Sequence, residues 1–327
     1  MKQNLTRRYK MVAAVETMAY AKSGGVPWHG LGQEVPNDLT PEQMLEVAGL
    51  NWEVEARDMF ITDGNGEQVM VPKKKALYRA SDDKFFSVIG DDWNPLQNSE
   101  AFEFFDDFVG AGDMEMHTAG ALQDGSRVWA LAKVNDAFEV FKGDVVEQFL
   151  LFSNPHQYGQ SIDVKMTPIR VVCQNTLSFA LSGATDYAVK VNHRQIFNAD
   201  MVKEQLGVAK EKLATYKEAA QFLGSKRFTN ENIVEYFNSM FPRTSNAKGK
   251  EKAQSRNSQE AMDHLHTQPG AEFGAGTWWN AFNTVTYMTD HTIGRNADTR
   301  MTSAWYGQNS KLKQKALKSA IEYAEAA

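Results

Sequence analysis

The chain of 327 residues is 42% hydrophobic and 23% charged, which is typical of a globular protein long enough to bury its own core. Its single cysteine, Cys173, excludes an internal disulfide and any zinc site made of several thiolates. The apolar run at 11–15 is too short for a signal peptide, and no stretch reaches the ~20 apolar residues of a membrane helix. We therefore expect a cytoplasmic protein that does not enter a membrane.

Charge is distributed unevenly along the chain. The formal net charge is −6, yet residues 91–116 carry eight acidic side chains and no Lys or Arg, whereas residues 243–256 carry five basic side chains and one acidic one. The acidic total counts against phosphate binding, which normally requires a basic excess. A local basic face remains compatible with that total, so nucleic-acid binding stays open.

The first predicted elements are an irregular N-terminal arm, a short helix and several strands. Glycine and proline interrupt any periodic pattern over residues 1–35. Thr40, with Gln43 three residues later, predicts a helix start with a reciprocal capping box. Alternating apolar residues over 51–90 predict strands, with a hairpin turn at 63–66.

Further strands and then helices are expected towards the C-terminus. A helix is predicted from Asn98 or Ser99, strands resume over 114–173, and a helix is predicted over 175–181. After residue 195 the apolar spacing becomes helical. The helices predicted there are 201–223, 230–241, 277–291 and 311–326.

These elements predict an α+β fold, in which a mostly antiparallel, hairpin-rich sheet with helices is followed by a helical C-terminal region. We divide the chain into an irregular arm (1–35), an α+β core (36–195) and a helical region (196–327) that packs on the core. The polar segment near 243–270 is expected to be a mobile loop or a weak helix.

Several separated segments carry a family resemblance. They are PWHGLG at 27–32, NPLQNSEAF at 94–102, SNPHQYG at 153–159, PIRVVCQNTL at 168–177, WWNAFN at 278–283 and YMTDH at 287–291. With these segments the chain resembles the phage/plasmid-like protein family, a group with a domain of unknown function found on phages, prophages and plasmids. The match spans residues 27–291, and it departs from the family pattern at 155–159, where the acidic residue of the family is absent.

The resemblance implies a mobile-element protein that acts in a bacterial host cell. It implies no reaction. At the level of the fold, a hairpin-rich sheet with helices is also similar to phage single-strand annealing proteins, which implies an oligomeric protein that handles single-stranded DNA.

The segment 170–176 contains the first candidate site. A buried strand ending near Cys173 would deliver Gln174 and Asn175 to the start of a helix, where free backbone N–H groups favour anions. Arg170 could add a bidentate phosphate contact. Alternatively, the amides satisfy backbone groups and Cys173 is a small core residue.

The predicted helix 277–291 contains the second candidate site. Asn280, Asn283, Tyr287 and His291 fall on one face at helical spacing, and this stripe could bind phosphates and stack on bases. It could equally form an internal polar network against the sheet. Arg295 and Arg300 follow the helix as further cations.

Cations of the sheet form the third candidate site. Arg127 and Lys133 share a face because an even number of residues separates them on one strand. With Lys165 they could line a groove for a single strand, although each is also explained as ordinary surface charge. The complete set of predicted nucleic-acid-binding residues is Arg127, Lys133, Lys165, Arg170, Gln174, Asn175, Asn280, Asn283, Tyr287, His291, Arg295 and Arg300.

The leading hypothesis is therefore a nucleic-acid-binding protein of phage or plasmid DNA metabolism, which binds single strands and forms homo-oligomers. A host-factor-binding inhibitor is the alternative, favoured by the acidic run. A metal-dependent hydrolase or nuclease is the third hypothesis, and it is weakened because the histidines lack metal-ligand spacing. No P-loop or nucleophile elbow occurs, so we predict no catalytic residue, metal or cofactor.

Overall fold

The computed structural model describes residues 15–24, 32–170, 175–176, 188–242 and 254–326. Its fold is α+β, as predicted, with a large and mostly antiparallel sheet, a small antiparallel sheet, and helices concentrated towards the C-terminus. The strands are β1 Val15–Ala21, β2 Gln33–Val35, β3 Val54–Thr62, β4 Gln68–Arg79, β5 Lys84–Gly90, β6 Met114–Leu122, β7 Arg127–Glu139, β8 Val145–Pro155, β9 Ser161–Arg170, β10 Asn175–Thr176 and β11 Ala188–Asn192.

The α-helices form two groups along the chain. The first group, α1 to α3, lies between β2 and β6, and the second group, α4 to α9, follows β11. Their bounds are α1 Pro41–Val47, α2 Asn98–Glu103, α3 Asp106–Gly110, α4 Ala199–Ser225, α5 Asn230–Met240, α6 Arg256–Thr267, α7 Trp278–Tyr287, α8 Ala297–Tyr306 and α9 Gln308–Glu325.

The large sheet has the strand order β10-β9-β8-β7-β6-β1-β2, and β11 pairs with β9. Its pairs are antiparallel except for β1 and β2, which run parallel. The small sheet has the order β3-β4-β5, and its β3–β4 hairpin turns at the predicted position after Thr62. Most neighbouring strands are consecutive along the chain and joined by short turns, so turn residues in the sequence marked the ends of many strands.

The N-terminal arm is more regular than predicted. Val15–Ala21 forms β1, which lies inside the large sheet, and Gln33–Val35 forms the edge strand β2. Met18, Ala19, Tyr20 and Ala21 are all buried, because β1 is covered on both faces, so the strand lacks the alternation that would have predicted it.

Other local predictions agree with the structure. Thr40 caps α1, and its side chain and that of Gln43 form the predicted capping box. Within the segment near 243–270, for which a mobile loop or a weak helix was expected, Arg256–Thr267 forms the helix α6, and residues 243–253 lie outside the described residues. The sequence also failed to predict β11 and α8.

One face of the large sheet and the C-terminal helices share a single hydrophobic core. Alternate residues of β7, such as Val128 and Ala130, point into it, and α4, α5, α7 and α9 cover it. The largest helix side chains in this core are Tyr216, Tyr236, Phe237, Trp278 and Trp279. The 36–195 and 196–327 regions therefore bury their apolar side chains against each other.

The opposite face of the large sheet, which we call the second face, has its own apolar cluster. Trp129 and Leu131 of β7 belong to it, together with Phe149 and Leu151 of β8. Trp305 and Tyr306, at the C-terminal end of α8, pack against this cluster. Trp305 meets Trp129 edge to face at 4.9 Å between ring centroids, so α8 is fixed against the second face.

Polar contacts join the small sheet and α2 to the large sheet. Arg79 of β4 forms ion pairs with Glu16 of β1, 2.8 Å, and with Asp82, 2.7 Å. The buried His156, which follows β8, hydrogen-bonds through Nε2 to Oδ1 of Asn98 at 3.0 Å. Both partners belong to segments that carried the family resemblance, so these two segments fix α2 against the end of β8.

Candidate functional site

A polar cleft of about 460 Å³ lies at one end of the second face. The β6–β7 turn, the segment that enters β9 and one side of α8 enclose it. Its lining consists of one cation, two amides, three hydroxyls, a tyrosine and a glycine: Gln123, Arg127, Gln160, Thr299, Thr302, Ser303, Tyr306 and Gly307. We call it the Arg127 cleft.

Local sequence determines the walls of the Arg127 cleft. The β6–β7 turn is tight, because Gln123, Asp124 and Gly125 all have positive φ, and it places Arg127 at the first position of β7. Asn296 caps α8 and forms a capping box with Thr299. Thr299, Thr302, Ser303 and Tyr306 follow one another at spacings of three, one and three residues, which puts them on one helix face.

Arg127 lies at the floor of the cleft with only 6% of its surface exposed. Its guanidinium donates to Oγ of Ser153, 2.8 Å, and to Oε1 of Gln160, and it stacks over the Tyr306 ring at 4.4 Å. Nε is buried without a hydrogen-bond partner. The groups that Arg127 contacts directly are therefore neutral. The carboxylate of Asp163, which lies opposite Ser153 on β9, acts electrostatically on Lys165 and Tyr306 in the same group of side chains.

Lys165 approaches the same tyrosine from β9. Its Nζ lies 5.1 Å from the Tyr306 ring centroid and donates to the carbonyl oxygen of Trp305 at 3.0 Å. Burial lowers the pKa of Lys165 to about 8, and burial raises the pKa of Tyr306 to about 12. Lys165 therefore carries a positive charge at neutral pH, and the phenol of Tyr306 stays protonated.

This arrangement fits an anionic ligand. A buried cation with a free N–H group, together with hydroxyl and amide donors, matches the donors that proteins use for phosphate oxygens. No carboxylate lines the described walls of the cleft. Arg127 and Lys165 place two cations beside the one carboxylate of Asp163 in a partly desolvated place, where a charge–charge interaction is stronger than at an open surface.

Of the other predicted sheet cations, Lys133 does not reach the cleft. It lies on the second face, as its spacing from Arg127 predicted, but its Nζ pairs with Glu147 of β8 at 2.6 Å. Arg170 and Asn175 pair with each other as residues of β9 and β10. Asn175 therefore lies in a strand rather than at a helix start, and Gln174 lies outside the described residues.

The amides of α7 are internal. Asn280 donates to the carbonyl oxygen of Leu265 at 2.9 Å, and its Oδ1 accepts from Gln268 at 2.8 Å. Asn283 is fully buried and donates to the carbonyl oxygen of Trp279, four residues earlier, at 2.8 Å. The sequence analysis gave an internal polar network as the alternative for this helix face, and the structure shows that network. Neither amide is therefore exposed to a ligand in this structure.

The remaining predicted residues form a second, separate group around the end of α7. The rings of Tyr287 and His291 lie 4.8 Å apart, and both residues are half-buried. Arg300 donates to the carbonyl oxygen of His291, whereas Arg295 is exposed in the turn before α8. Arg300 lies on α8 beside Thr299, so this helix connects the second group to the Arg127 cleft.

The cleft residues that sequence reasoning missed are those of α8, together with Gln123, Gln160 and Gly307. Tyr306 is the most important, because it contacts both Arg127 and Lys165. The hydroxyls at Thr299, Thr302 and Ser303 have helical spacing, which was a usable signal. No helix was predicted over residues 292–310, so the helical spacing of these hydroxyls was not recognised.

The described residues form an α+β protein with a polar cleft that has the Arg127 guanidinium at its floor. Among the described residues, no group of three or more His, Cys, Asp or Glu side chains could hold a metal ion. Likewise, no helix in the described part of the chain is long and apolar enough to cross a membrane.

The chain belongs to the family with domain of unknown function DUF932, whose sequence model matches residues 85–315. That range contains β6 to β11 and all but the first residue of β5, the helices α2 to α8, the first eight residues of α9, and every residue that lines the Arg127 cleft. No curated protein and no solved structure matches the chain.

Proposed function

We propose that the protein binds single-stranded nucleic acid and that the Arg127 cleft holds part of the phosphate backbone. The observation that carries this proposal is the buried guanidinium of Arg127, which has an unpartnered Nε and faces a cleft lined by neutral donors. A phosphate oxygen would give that cation an anionic partner, and the α8 hydroxyls of Thr302 and Ser303 would donate further hydrogen bonds.

The tyrosine under Arg127 supports a role in holding the backbone. Because Tyr306 is covered by the guanidinium and by Lys165, its ring keeps the two cations at fixed places. Contacts to phosphates position a strand without reading its bases. Binding would then depend on local charge, since the whole chain carries a net charge of −6.

The biological setting is also part of the proposal. The resemblance of the sequence to phage and plasmid proteins supports a role in mobile-element DNA metabolism, with single-strand annealing or assistance to recombination as the form of it. A protein that holds only the backbone would leave the bases available for pairing with a second strand, which annealing requires.

Fluorescence anisotropy with a labelled single-stranded oligonucleotide, repeated at several salt concentrations, tests the proposal. Arg127→Gln should weaken binding by roughly tenfold or more and reduce the slope of log affinity against log salt by about one, because one phosphate contact is lost. Arg256→Gln is the matched control, since Arg256 is exposed on α6, far along the chain from the cleft.

Arg127 is buried, so its replacement could also disturb folding. Thr302→Val is the second variant, because it removes a cleft hydroxyl while it leaves the guanidinium in place. It should weaken binding by a few fold, with an unchanged thermal transition. The proposal is wrong if the unaltered protein shows no salt-sensitive binding at about 50 mM salt, or if Arg127→Gln and Arg256→Gln lose equal affinity.

A further inference from the structure

One row of side chains crosses the second face next to the Arg127 cleft. Asp163 of β9 lies opposite Ser153 of β8, which in turn lies opposite Trp129 of β7. Residues directly opposite each other on antiparallel strands have Cβ atoms ~5 Å apart. Asp163 therefore lies beside the Ser153 hydroxyl that accepts from Arg127 at 2.8 Å. Lys165 follows Asp163 by two residues, so the two side chains share a face.

Asp163 is a half-buried carboxylate that does not line the cleft itself. Its Oδ1 atom is buried without a hydrogen-bond partner. Its charge still acts on the neighbouring cation, because burial lowers the pKa of Lys165, Asp163 opposes that shift and Arg127 reinforces it. Lys190 of β11, which lies opposite Asp163, is exposed, so solvent and salt screen its charge. Asp163 therefore influences the cleft through space.

The buried charges around this row leave a single positive charge at the floor of the cleft. Arg127 and Lys165 contribute two positive charges, and Asp163 contributes one negative charge, so two minus one leaves one. Lys313 is a further buried cation that acts on Lys165. It is paired with the buried carboxylate of Asp290 at 2.9 Å, and that pair adds no net charge.

A single positive charge in a desolvated place favours a monoanion over a dianion. The attraction to the site grows in proportion to the charge of the ligand, whereas the cost of removing the ligand from water grows with the square of that charge. A dianion therefore gains about twice the attraction at about four times the desolvation cost. A phosphodiester inside a strand is a monoanion, whereas a terminal phosphate, whose second pKa is about 6, is mostly a dianion at neutral pH.

We propose that Asp163 makes the Arg127 cleft selective for the internal phosphodiesters of a strand over its phosphorylated end. This inference rests on the proposed binding of single-stranded nucleic acid, and it names the part of the strand that the cleft takes. Because Asp163 holds the net charge at one, the attraction for a dianion stays too small to offset its desolvation. Asp163 is thus a specificity-determining residue that does not touch the ligand, and a strand without ends binds as well as a linear one.

Three variants test the role of this charge. Asp163→Asn removes the negative charge and keeps the size of the side chain, so the net charge at the floor rises from one to two. Asp163→Glu keeps the charge and should keep the selectivity. Asp263→Asn is the matched control, because Asp263 is an exposed residue of α6 outside the Arg127 cleft.

Fluorescence anisotropy at about pH 7 and about 50 mM salt is the measurement. It compares three strands of one sequence and of about 16 nucleotides, each labelled on an internal base: a linear strand with a 5′-hydroxyl, a linear strand with a 5′-phosphate, and a covalently closed circle. For the unaltered protein, Asp163→Glu and Asp263→Asn, the three affinities should agree within about twofold, because internal phosphates dominate binding.

Asp163→Asn should behave differently. It should bind all three strands at least about threefold more tightly, and the 5′-phosphorylated strand about threefold more tightly again, because the added positive charge acts twice as strongly on a dianion. A merely structural disturbance would lower affinity, so a gain with a changed preference reports the charge. The comparison of the three strands on the unaltered protein tests the selectivity even if Asp163→Asn fails to fold.

Other outcomes overturn the proposal. If the unaltered protein prefers the 5′-phosphorylated strand over the circle by about threefold or more, the cleft takes strand ends. If Asp163→Asn gains equally for all three strands, the carboxylate affects affinity alone, and if Asp263→Asn gains as much, only the total charge of the protein matters. If no strand binds at all, the proposed function itself fails, which is distinct from binding that lacks the expected preference.

Discussion

The protonation state of His156, a residue of one of the segments that carry the family resemblance, is set by the side chains packed around it. The imidazole stacks on Phe86 at 5.8 Å and meets Trp52 edge to face at 5.4 Å, and one of its nitrogens bonds to Asn98. Burial lowers the pKa of His156 to about 3. The residue is therefore neutral in the folded protein at every pH at which the protein would normally be studied.

The lowered pKa makes stability sensitive to acid. In the unfolded chain the pKa of a histidine is about 6.5, so between pH 6.5 and about 3 the unfolded state binds the extra proton and the folded state does not. Stability contributed by neutral His156 is complete above pH 6.5 and falls as the pH drops through this window.

We predict that His156→Gln flattens this dependence. Melting temperatures measured from neutral pH down to about pH 4 should fall less steeply in the variant, even if the variant is less stable at neutral pH. Some slope should remain, because burial also lowers the pKa of His117 to about 4. His264→Gln on α6 is the control, and an equal flattening there would count against the assignment to His156.

At the residue scale, the sequence predicted which cations and amides would be polar candidates, but it did not predict which of them would be buried. Arg127 and Lys165 were predicted only as cations of the sheet, and both contact the ring of Tyr306. Asn280 and Asn283 were chosen on helical spacing, which places residues on a face but does not say whether that face is covered. Whether a polar helix face is buried depends on packing against residues distant in the sequence, and the pattern of a single sequence does not predict that packing.

At the scale of elements, β1 and β6 approach each other so closely that only glycine fits at one position. A Cβ atom at Gly120 would lie 2.5 Å from the carbonyl oxygen of Thr17 and 3.2 Å from Cα of Met18. Both neighbours are backbone atoms of the paired strand, so they cannot rotate away. The side chain would have to push β1 from the sheet.

We predict that Gly120→Ala lowers the free energy of unfolding by about 1–3 kcal/mol, as overpacked cores do. Urea denaturation followed by circular dichroism is the measurement. Gly207→Ala is the control, because a Cβ at Gly207 in α4 meets nothing within 4 Å. That change should raise stability by roughly 0.5–1 kcal/mol, since alanine is the better helix residue, and equal destabilisation by both changes would contradict the steric account.

Elements with local signals were the ones that the sequence predicted well. The α1 start follows from Thr40 and Gln43, and the β3–β4 turn follows from its Asp and Gly residues. By contrast, β1 and β11 are short strands whose places are decided by partners distant in sequence, β6 and β9. Tertiary pairing overrides weak local propensity in such strands.

At the scale of the whole molecule, the C-terminal helices complete the core of the sheet. Tyr216, Tyr236 and Trp278 come from helices after residue 195, and they share one cluster of buried residues with β6 to β9. A chain that ended at residue 195 would expose that face of the sheet to water. Loss of so much buried apolar area exceeds the stability of an ordinary domain.

We therefore predict that residues 1–195 expressed alone do not fold cooperatively, whereas the full chain does. Thermal melts followed by near-ultraviolet circular dichroism compare the two, because aromatic signals report tertiary packing. The full chain should give one cooperative transition. A fragment with a sharp transition of its own would show that the helical region is an independent domain.

The direction of the distal part of the β3–β4 hairpin depends on a single bend. Met59 of β3 faces four residues of β4, 71–74, and within this bulge Lys73 has φ of +57°, a left-handed conformation that costs a non-glycine residue about 1–2 kcal/mol. The angle between the distal hairpin and the rest of the small sheet is thus set at one backbone position. Glycine would adopt the same φ without that cost, so the orientation of the hairpin is held by a backbone conformation that the residue at this position disfavours.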